Sequence, residues 1–142
     1  MLKVVAQILK FNEKSPITGV VYRKEEMEKI IEKFNKGGTK YGQFAEGDEP
    51  FSKENMSHKV INLKIVEDKV VADIEFIETP KGFMYQDLIK RGEKFAAAPR
   101  IEVDENGNLV DVVSVDIIKE EKSVFNGNTL EIVKRNGFKE RK

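Results

Sequence analysis

The alternation of apolar and polar residues in the middle of the chain constrains its fold more than any other feature. Residues 57–66 and 69–78 each alternate with a period of two, and only Glu67-Asp68 separates them. Such a period places every second side chain on one face of a strand, so the two segments predict a β-hairpin with one face turned to water. The residues expected on the apolar faces are Ile61, Leu63 and Ile65 in the first arm, and Val70, Ala72, Ile74 and Phe76 in the second.

Two helices are predicted beside this hairpin. Residues 23–36 carry apolar side chains at i, i+3, i+4 and i+7, and Gly37-Gly38 ends the segment. Thr79 is a suitable N-cap for a second helix, which begins at Pro80, where a missing N–H costs nothing, and runs to Gly92. The expected apolar sides are Met27, Ile30, Ile31 and Phe34 in the first helix, and Met84, Leu88 and Ile89 in the second.

The remaining segments predict further strands. Residues 2–11 place Val4, Ala6 and Ile8 on one face, with Lys10 next in line, and residues 39–44 and 129–134 predict two short strands. Residues 94–103 and 109–119 predict a second hairpin around the strong turn signal Asn106-Gly107. Six to seven strands with two helices predict an α+β fold with a mostly antiparallel sheet or a small barrel.

The domain organisation follows from the same pattern. Residues 1–134 are predicted to form a single domain, and residues 135–142 a basic, flexible tail. The polar residues 45–56 between strands are the best candidate for a mobile loop.

Composition narrows the function classes. The 142 residues contain 25 Lys and Arg and 25 Asp and Glu, so no net charge recruits nucleic acid or an anionic membrane. The chain has no cysteine, which excludes thiol catalysis, thiolate metal sites and disulfides. No apolar run is long enough to span a membrane, and the first ten residues alternate like a strand instead of a signal peptide. We therefore expect an intracellular protein. We also expect no cofactor.

His58 is the only residue that could act as an imidazole base. Ser57 precedes it on a strand, where successive side chains point to opposite faces, so we expect that the two do not pair. Ser114 on a later strand is another conceivable partner, although the spacing does not favour it. We expect a histidine on the strand surface or half-buried, without a catalytic role.

Acidic residues cluster in the polar loop. Glu46, Asp48, Glu49 and Glu54 have the oxygen ligands that a hard cation needs. The ligand spacing and the glycine of a calcium loop are absent, so we expect a solvated acidic loop and no metal.

Seven short segments follow one another in an order found in a known protein family. They are Gly19-Val20-Val21-Tyr22, Tyr41-Gly42-Gln43-Phe44, Ser57-His58-Lys59-Val60-Ile61, Thr79-Pro80-Lys81-Gly82, Leu88-Ile89-Lys90-Arg91-Gly92, Ala97-Ala98-Pro99-Arg100 and Val115-Asp116-Ile117-Ile118. In this order the chain resembles the capsid-maturation (prohead) proteases of tailed phages over residues 19–118. The resemblance implies the fold of that family and a phage-head setting.

The departures from the family pattern fall on the catalytic residues. The histidine position is occupied by Ala45 or Glu46, and the serine position by Ala97 or Ala98. Of the implied triad, only Asp116 is kept. Because acyl transfer needs a nucleophile and a base, the resemblance implies a protein without catalysis, with Glu46, Ala98 and Asp116 at the degenerate positions.

The implied role is binding. His58 aligns with a different histidine of the family and does not restore the base; with Arg100, Asp48 and Glu49 it is a candidate binding residue. We expect a phage structural or head-assembly protein that binds capsid, scaffold or protease subunits through its sheet edges and the loop 45–56. It would act in the cytoplasm of the infected host cell or in the virion head, as a homo-oligomer or alone.

Two alternatives stay open at this point. The first is a binding or inhibitory module for another protein or a small ligand. The second is an active serine endopeptidase whose nucleophile lies elsewhere, with Ser114, Ser52 and Thr39 as the residues to consider.

Overall fold

The computed structural model describes residues 1–14, 21–45, 51–122 and 128–133, and the α+β fold predicted from the sequence is confirmed. Strands and helices alternate irregularly along the chain, and short 3-10 turns lie at Lys53–Asn55 and Glu120–Lys122. The elements are β1 (Lys3–Lys10), α1 (Lys24–Lys36), β2 (Lys40–Gln43), β3 (Met56–Val66), β4 (Lys69–Phe76), α2 (Pro80–Lys90), β5 (Phe95–Val103), β6 (Leu109–Lys119) and β7 (Glu131–Ile132).

The strands form two antiparallel sheets. The larger sheet has the order β2-β3-β4-β1-β7, and β5 and β6 form a separate hairpin. Single bridges connect the two sheets, one between Phe44 and Ile117 and one between Ala96 and Thr129. Because these are single bridges and not continuous ladders, the described strands form open sheets; the alternative of a small closed barrel is wrong for this part of the chain.

The core lies between the larger sheet, α1 and the β5–β6 hairpin. All four residues predicted for the apolar face of β4 are fully buried, and the four predicted for α1 are buried as well. Helix α1 packs against β3 and β6, and α2 packs against β3 and β4. The residues that the β5–β6 hairpin adds to the core are Ala97, Val112, Val115 and Ile117.

The predicted apolar face of β3 is wrong at one position. Val60 and Leu63 are buried, whereas Ile61 is 47% exposed. The register between β3 and β4 shifts between Val60 and Asn62, so a β-bulge inserts one extra residue and reverses the alternation. Ile65 is half-buried and packs at the margin of the core.

Helix α1 covers the part of β3 that β2 does not reach. The last residue of β3 that pairs with β2 is Val60. Beyond it, the Asn35 side chain donates to the Leu63 carbonyl and accepts from the Leu63 N–H, both at 2.9 Å. One amide side chain thus replaces a neighbouring strand and protects an otherwise open sheet edge.

A second bulge changes the end of β1. Val4, Ala6 and Ile8 are buried as predicted, but the register with β4 shifts between Gln7 and Leu9, and Leu9 is fully buried as well. Lys10, which the alternation placed in line with them, lies instead at the margin, 3.9 Å from the Glu13 carboxylate.

Helix α2 begins at Thr79 and Pro80 as predicted; of its predicted apolar side, Ile89 is buried and Leu88 packs against the core, but Met84 does not. The buried residues are Gly82, Tyr85, Gln86 and Ile89, and Met84 is 42% exposed. The cause is the close approach at Gly82, where a Cβ atom would lie 1.9 Å from the Ile77 carbonyl oxygen. Since only glycine permits this contact, the helix turns its 82–85–86–89 stripe to the sheet and its Met84 side to solvent.

Two predicted flexible segments lie partly or wholly outside the described residues. Of the polar loop, residues 46–50 lie outside them, and the tail 135–142 lies wholly outside them. The described end of the loop is held in place, because the Gln43 side chain accepts from the Ser52 N–H at 2.9 Å and Ser52 caps the following 3-10 turn.

Candidate functional site

Strands β2, β5 and β6 meet at one place, which we call the β2–β5–β6 junction and define by Phe44, Ala45, Ala98, Arg100 and Asp116. Ala98 lies directly opposite Asp116 in the β5–β6 ladder. The Ala45 N–H donates to the carbonyl of Ile117, the residue after Asp116, at 2.9 Å. The fold therefore brings together Ala45, Ala98 and Asp116, which the resemblance assigns to the triad, whereas Glu46, its alternative for the histidine position, lies outside the described residues.

The carboxylate of the junction is held by an ion pair. Arg100 Nη2 lies 3.0 Å from Asp116 Oδ2, and Arg100 Nε donates to Asp116 Oδ1 at 3.2 Å. The pair forms because Ala98 and Arg100, two residues apart on β5, point to the same face as Asp116 across the ladder. The hydrogen bond from Nε and the charge at the nearby Nη2 hold the carboxylate beside the guanidinium, so Arg100, a predicted binding residue, is engaged within its own chain.

Three aromatic rings line the side of the junction next to α2. Phe44 stacks on Tyr85 with ring centroids 5.0 Å apart, and both rings meet Phe95 edge-on at 5.9 and 5.7 Å. Tyr85 is buried, whereas Phe44 and Phe95 are half-buried and keep part of their surface in solvent. Such a cluster can cover an apolar side chain of a partner.

His58 departs from the sequence prediction in two ways. It is fully buried and not at the surface or half-buried, and the Ser57 hydroxyl lies 2.7 Å from His58 Nδ1. The prediction that the two residues do not pair is wrong, because Nδ1 is the ring nitrogen nearest the main chain and a serine hydroxyl can reach it around the backbone. On its other side, His58 Nε2 lies 2.7 Å from the Val115 carbonyl oxygen.

These contacts define the protonation of the ring. A carbonyl oxygen only accepts, so Nε2 carries the proton and Nδ1 accepts from the Ser57 hydroxyl. Burial lowers the pKa of His58 from its ordinary value of 6.5 to about 4, and the bond to the Val115 carbonyl opposes this shift. The ring is therefore neutral at pH 7.

A glycine makes room for this ring. At Gly42, a Cβ atom would lie 2.2 Å from His58 Nε2 and 2.3 Å from the Val115 oxygen. We call Gly42, Ser57, His58 and Val115 the His58 cluster. Although a hydroxyl faces an imidazole here, both side chains are fully buried, and a backbone carbonyl takes the place of an acid. The cluster joins β3 to β6 and is closed to solvent.

The other nucleophile candidates are dispersed. The Ser114 hydroxyl donates to the Tyr41 carbonyl at 2.7 Å, and the Ser52 hydroxyl accepts from the Glu54 N–H at 3.3 Å. Thr39 is exposed just before β2. His58 is hydrogen-bonded to Ser57 and Val115 and not to any of these three residues.

One buried polar cluster has no counterpart in the sequence predictions. Gln7 Nε2 donates to Asn128 Oδ1 at 2.7 Å, and Asn128 Nδ2 donates to the carbonyls of Ile8 and Ala97, both at 3.1 Å. These bonds tie β1 to β5. No sequence pattern predicts these hydrogen bonds, since Asn128 lies outside any periodic segment.

Metal and membrane sites are not evident in the described ranges. In residues 1–14, 21–45, 51–122 and 128–133, no three His, Asp or Glu side chains are grouped so that they could hold a metal ion. Asp48 and Glu49, two predicted binding residues, lie in the undescribed stretch 46–50. No helix of the described chain has the length and apolar character required to cross a membrane.

An open groove runs along the outer side of α2. It has a volume of about 480 Å³ and includes Phe83, which is 51% exposed, and Met84. Its remaining lining residues are Pro80, Gln86, Asp87 and Lys90.

Comparisons with known proteins do not assign a family. No protein-family model, curated protein or solved structure matches this chain. The resemblance to the prohead proteases therefore stays a hypothesis that rests on the motifs quoted above.

Proposed function

We propose that this protein is a non-catalytic relative of the prohead proteases that serves as a phage structural or head-assembly protein. The observation that carries the proposal is the β2–β5–β6 junction. Ala98 lies opposite Asp116 there, and Ala45 is bonded to the same strand, yet neither alanine can act in catalysis. A hydrolase that lost its nucleophile and its base would retain this arrangement.

Chemistry at the junction argues for binding over hydrolysis. A covalent acyl-enzyme route requires a hydroxyl or thiol within reach of a base. Asp116 is bonded to Arg100 instead of an imidazole, and the Ser57–His58 pair is shut away from solvent. The junction can hold a peptide segment, but it lacks the groups that would cleave one.

The proposed partners are capsid, scaffold or protease subunits. The half-buried rings of Phe44 and Phe95 offer an apolar contact, and β2 and β7 are the two edges of the larger sheet, to which an extended segment can add. The equal numbers of acidic and basic residues support protein partners over nucleic acid or a lipid surface. This role places the protein in the infected host cell or in the virion head.

Co-sedimentation with purified heads of the phage that encodes this chain tests the proposal. We expect the protein to sediment with the heads, and we expect Phe44→Ala to weaken this binding at least tenfold. Ile61→Ala is the control, because it removes an exposed apolar side chain that is not part of the junction. Circular dichroism spectra and thermal midpoints show whether each variant is folded.

Two outcomes would contradict this role. A protein that stays in the supernatant at all head concentrations has no structural role in the head. Alternatively, the intact mass of capsid subunits after long incubation would reveal cleavage; cleavage that Asp116→Ala abolishes would identify an active endopeptidase.

A further inference from the structure

Helix α2 leaves two large apolar side chains in contact with solvent. Phe83 is 51% exposed and Met84 is 42% exposed, and both line the open groove along this helix, which we call the α2 groove. All of its described lining residues belong to α2 itself. Because a single helix has a convex surface, the described part of the chain supplies only one wall of the groove. An exposed apolar patch of this kind commonly marks a contact surface.

The α2 groove favours an apolar occupant. Its charged lining residues are one acid, Asp87, and one base, Lys90, so together they contribute no net charge. Asp87 also pairs with Arg91 of its own helix at 3.0 Å. The apolar centre therefore determines what the groove binds, and a suitable occupant is an apolar side chain with polar neighbours in sequence.

The end of β7 lies beside this groove. The Val133 N–H donates to the Lys3 carbonyl at 3.0 Å, and the Leu2 N–H donates to the Gln86 side chain at 2.7 Å. Gln86 is itself one of the lining residues. Since Leu2 and Lys3 are adjacent, two hydrogen bonds and two residues connect Val133 to the α2 groove. The chain that follows β7 thus starts next to this groove.

The sequence after Val133 contains a suitable side chain. Residues 134–142 have one large apolar side chain, Phe138, which lies between Gly137 and Lys139. These residues are outside the described ranges. Phe138 follows Val133 by five residues, and an extended chain of that length spans up to about 17 Å. Helix α2, with 11 residues, is about 16 Å long, so the whole groove is within reach of Phe138.

We propose that Phe138 docks into the α2 groove of its own chain and covers Phe83 and Met84. The segment after β7 then supplies the second wall of the groove. Because β7 has only two residues, this docking also helps to hold the strand on β1. The contact is intramolecular, so a short linker provides a high effective concentration and one aromatic anchor is sufficient. The docking does not depend on the proposed role of the β2–β5–β6 junction.

Pairs of introduced cysteines test the docking in the full chain. The protein has no cysteine of its own, so Lys90→Cys with Gly137→Cys can form only one disulfide within a molecule. The control pair combines Gly137→Cys with Glu105→Cys at the tip of the β5–β6 hairpin. Leu130 is bonded to Phe95 at the start of β5, and the tip lies roughly 30 Å further along this strand. Under mild oxidation, we expect the Lys90 pair to close at least about tenfold faster than the control pair.

A change of Phe138 separates docking from simple proximity. In the Lys90 and Gly137 cysteine pair, Phe138→Ala slows disulfide closure by about tenfold, because the buried ring no longer anchors the segment. Lys139→Ala is the matched control, since it shortens the next side chain and leaves the ring in place. We expect closure to keep its rate in this variant.

NMR of the cysteine-free protein provides a second measurement. A ring that covers Met84 shifts the signal of its methyl group, so Phe138→Ala moves this signal. The methyl signal of Met27, which is fully buried in the core, stays in place.

Three results would overturn the docking. If the disulfide closes equally fast with and without the Phe138 ring, the segment only passes near the groove. If Phe138→Ala leaves the Met84 methyl signal unchanged, the ring does not cover this residue. If oxidation gives disulfide-linked dimers in place of closed monomers, the α2 groove takes a second copy of the chain instead.

Discussion

At the scale of single residues, the centre of this protein depends on Gly42. The His58 ring and the Val115 carbonyl occupy the space in which any other residue would place its Cβ atom. Glycine is commonly required for a backbone conformation, but at this position it is required for close approach. A strand of four residues can therefore lie against a buried imidazole.

Gly42→Ala should destabilise the protein by about 3 kcal/mol, because the ring and a backbone carbonyl must both move to admit the methyl group. Gly37→Ala is the matched control, since the nearest atom to its Cβ is the Lys40 Nζ, at the end of a flexible side chain. Urea unfolding of both variants checks this. Equal midpoints for the two variants would show that the contact at Gly42 relaxes freely.

Ala98→Ser should restore no hydrolysis. The new hydroxyl would lie opposite Asp116, whose carboxylate is already bonded to Arg100, and no imidazole would face it within the described residues. Release of p-nitrophenol from an activated ester, compared between the variant and the unaltered protein, measures this. A burst of product in the variant alone would reveal a base that these contacts do not include.

At the scale of elements, β-bulges decide which side chains reach the core. In β3 the bulge at Ile61 reverses the alternation, and in β1 the bulge near Ile8 brings Leu9 inside. Helix α2 rotates for a related reason, because Gly82 must face the Ile77 carbonyl. In each case a local backbone contact overrides the periodic pattern.

Two isoleucines in neighbouring strands provide a matched test of the β3 bulge. Ile74→Ala should cost about 3 kcal/mol as a core truncation, and Phe34→Ala on α1 should cost a similar amount. Ile61→Ala should cost less than about 0.5 kcal/mol, because that side chain is largely exposed. Urea midpoints measure all three. If Ile61→Ala lowers the free energy of unfolding as much as Ile74→Ala does, Ile61 lies in the core and the register shift in β3 is contradicted.

At the scale of the whole molecule, two sheets are joined through few polar contacts. The Gln7–Asn128 cluster ties β1 to β5, and the His58 side chain ties β3 to β6. Both are fully enclosed, so their bonds gain strength from the surrounding apolar core and are costly to break. These buried polar side chains thus act together with the backbone bridges and the apolar core to set the relative position of the two sheets.

Stability should consequently depend on pH through His58. Its pKa is lowered in the folded protein to about 4, so between this value and 6.5 the unfolded chain binds a proton that the folded protein does not. The free energy of unfolding therefore rises with pH across this window, and up to about 3 kcal/mol is lost as the pH falls through it.

Urea unfolding at pH 7.5, 5.5 and 4.5 measures this loss. Carboxylates titrate in the same window, so the relevant quantity is the difference between the unaltered protein and His58→Gln. If the free energy of unfolding changes with pH by the same amount in both proteins, His58 is not responsible for the loss of stability.

The sequence by itself determined the features that depend on local patterns. Period-two alternation located the first hairpin and the buried face of β4, and the Asn106-Gly107 turn signal located the second hairpin. The i, i+3, i+4, i+7 spacing identified the core face of α1, and Thr79-Pro80 marked the start of α2.

The tertiary structure alone decided how these elements meet. The exposure of Ile61, the Ser57–His58 bond, the Arg100–Asp116 pair and the burial of Asn128 all depend on chain segments distant in sequence or on a shift in strand register. Local patterns show which faces are apolar, because the polarity of each side chain is a property of that residue alone. They do not record which backbone atom from elsewhere in the chain approaches a given side chain, and such approaches determine the state of His58 and the chemistry of the junction.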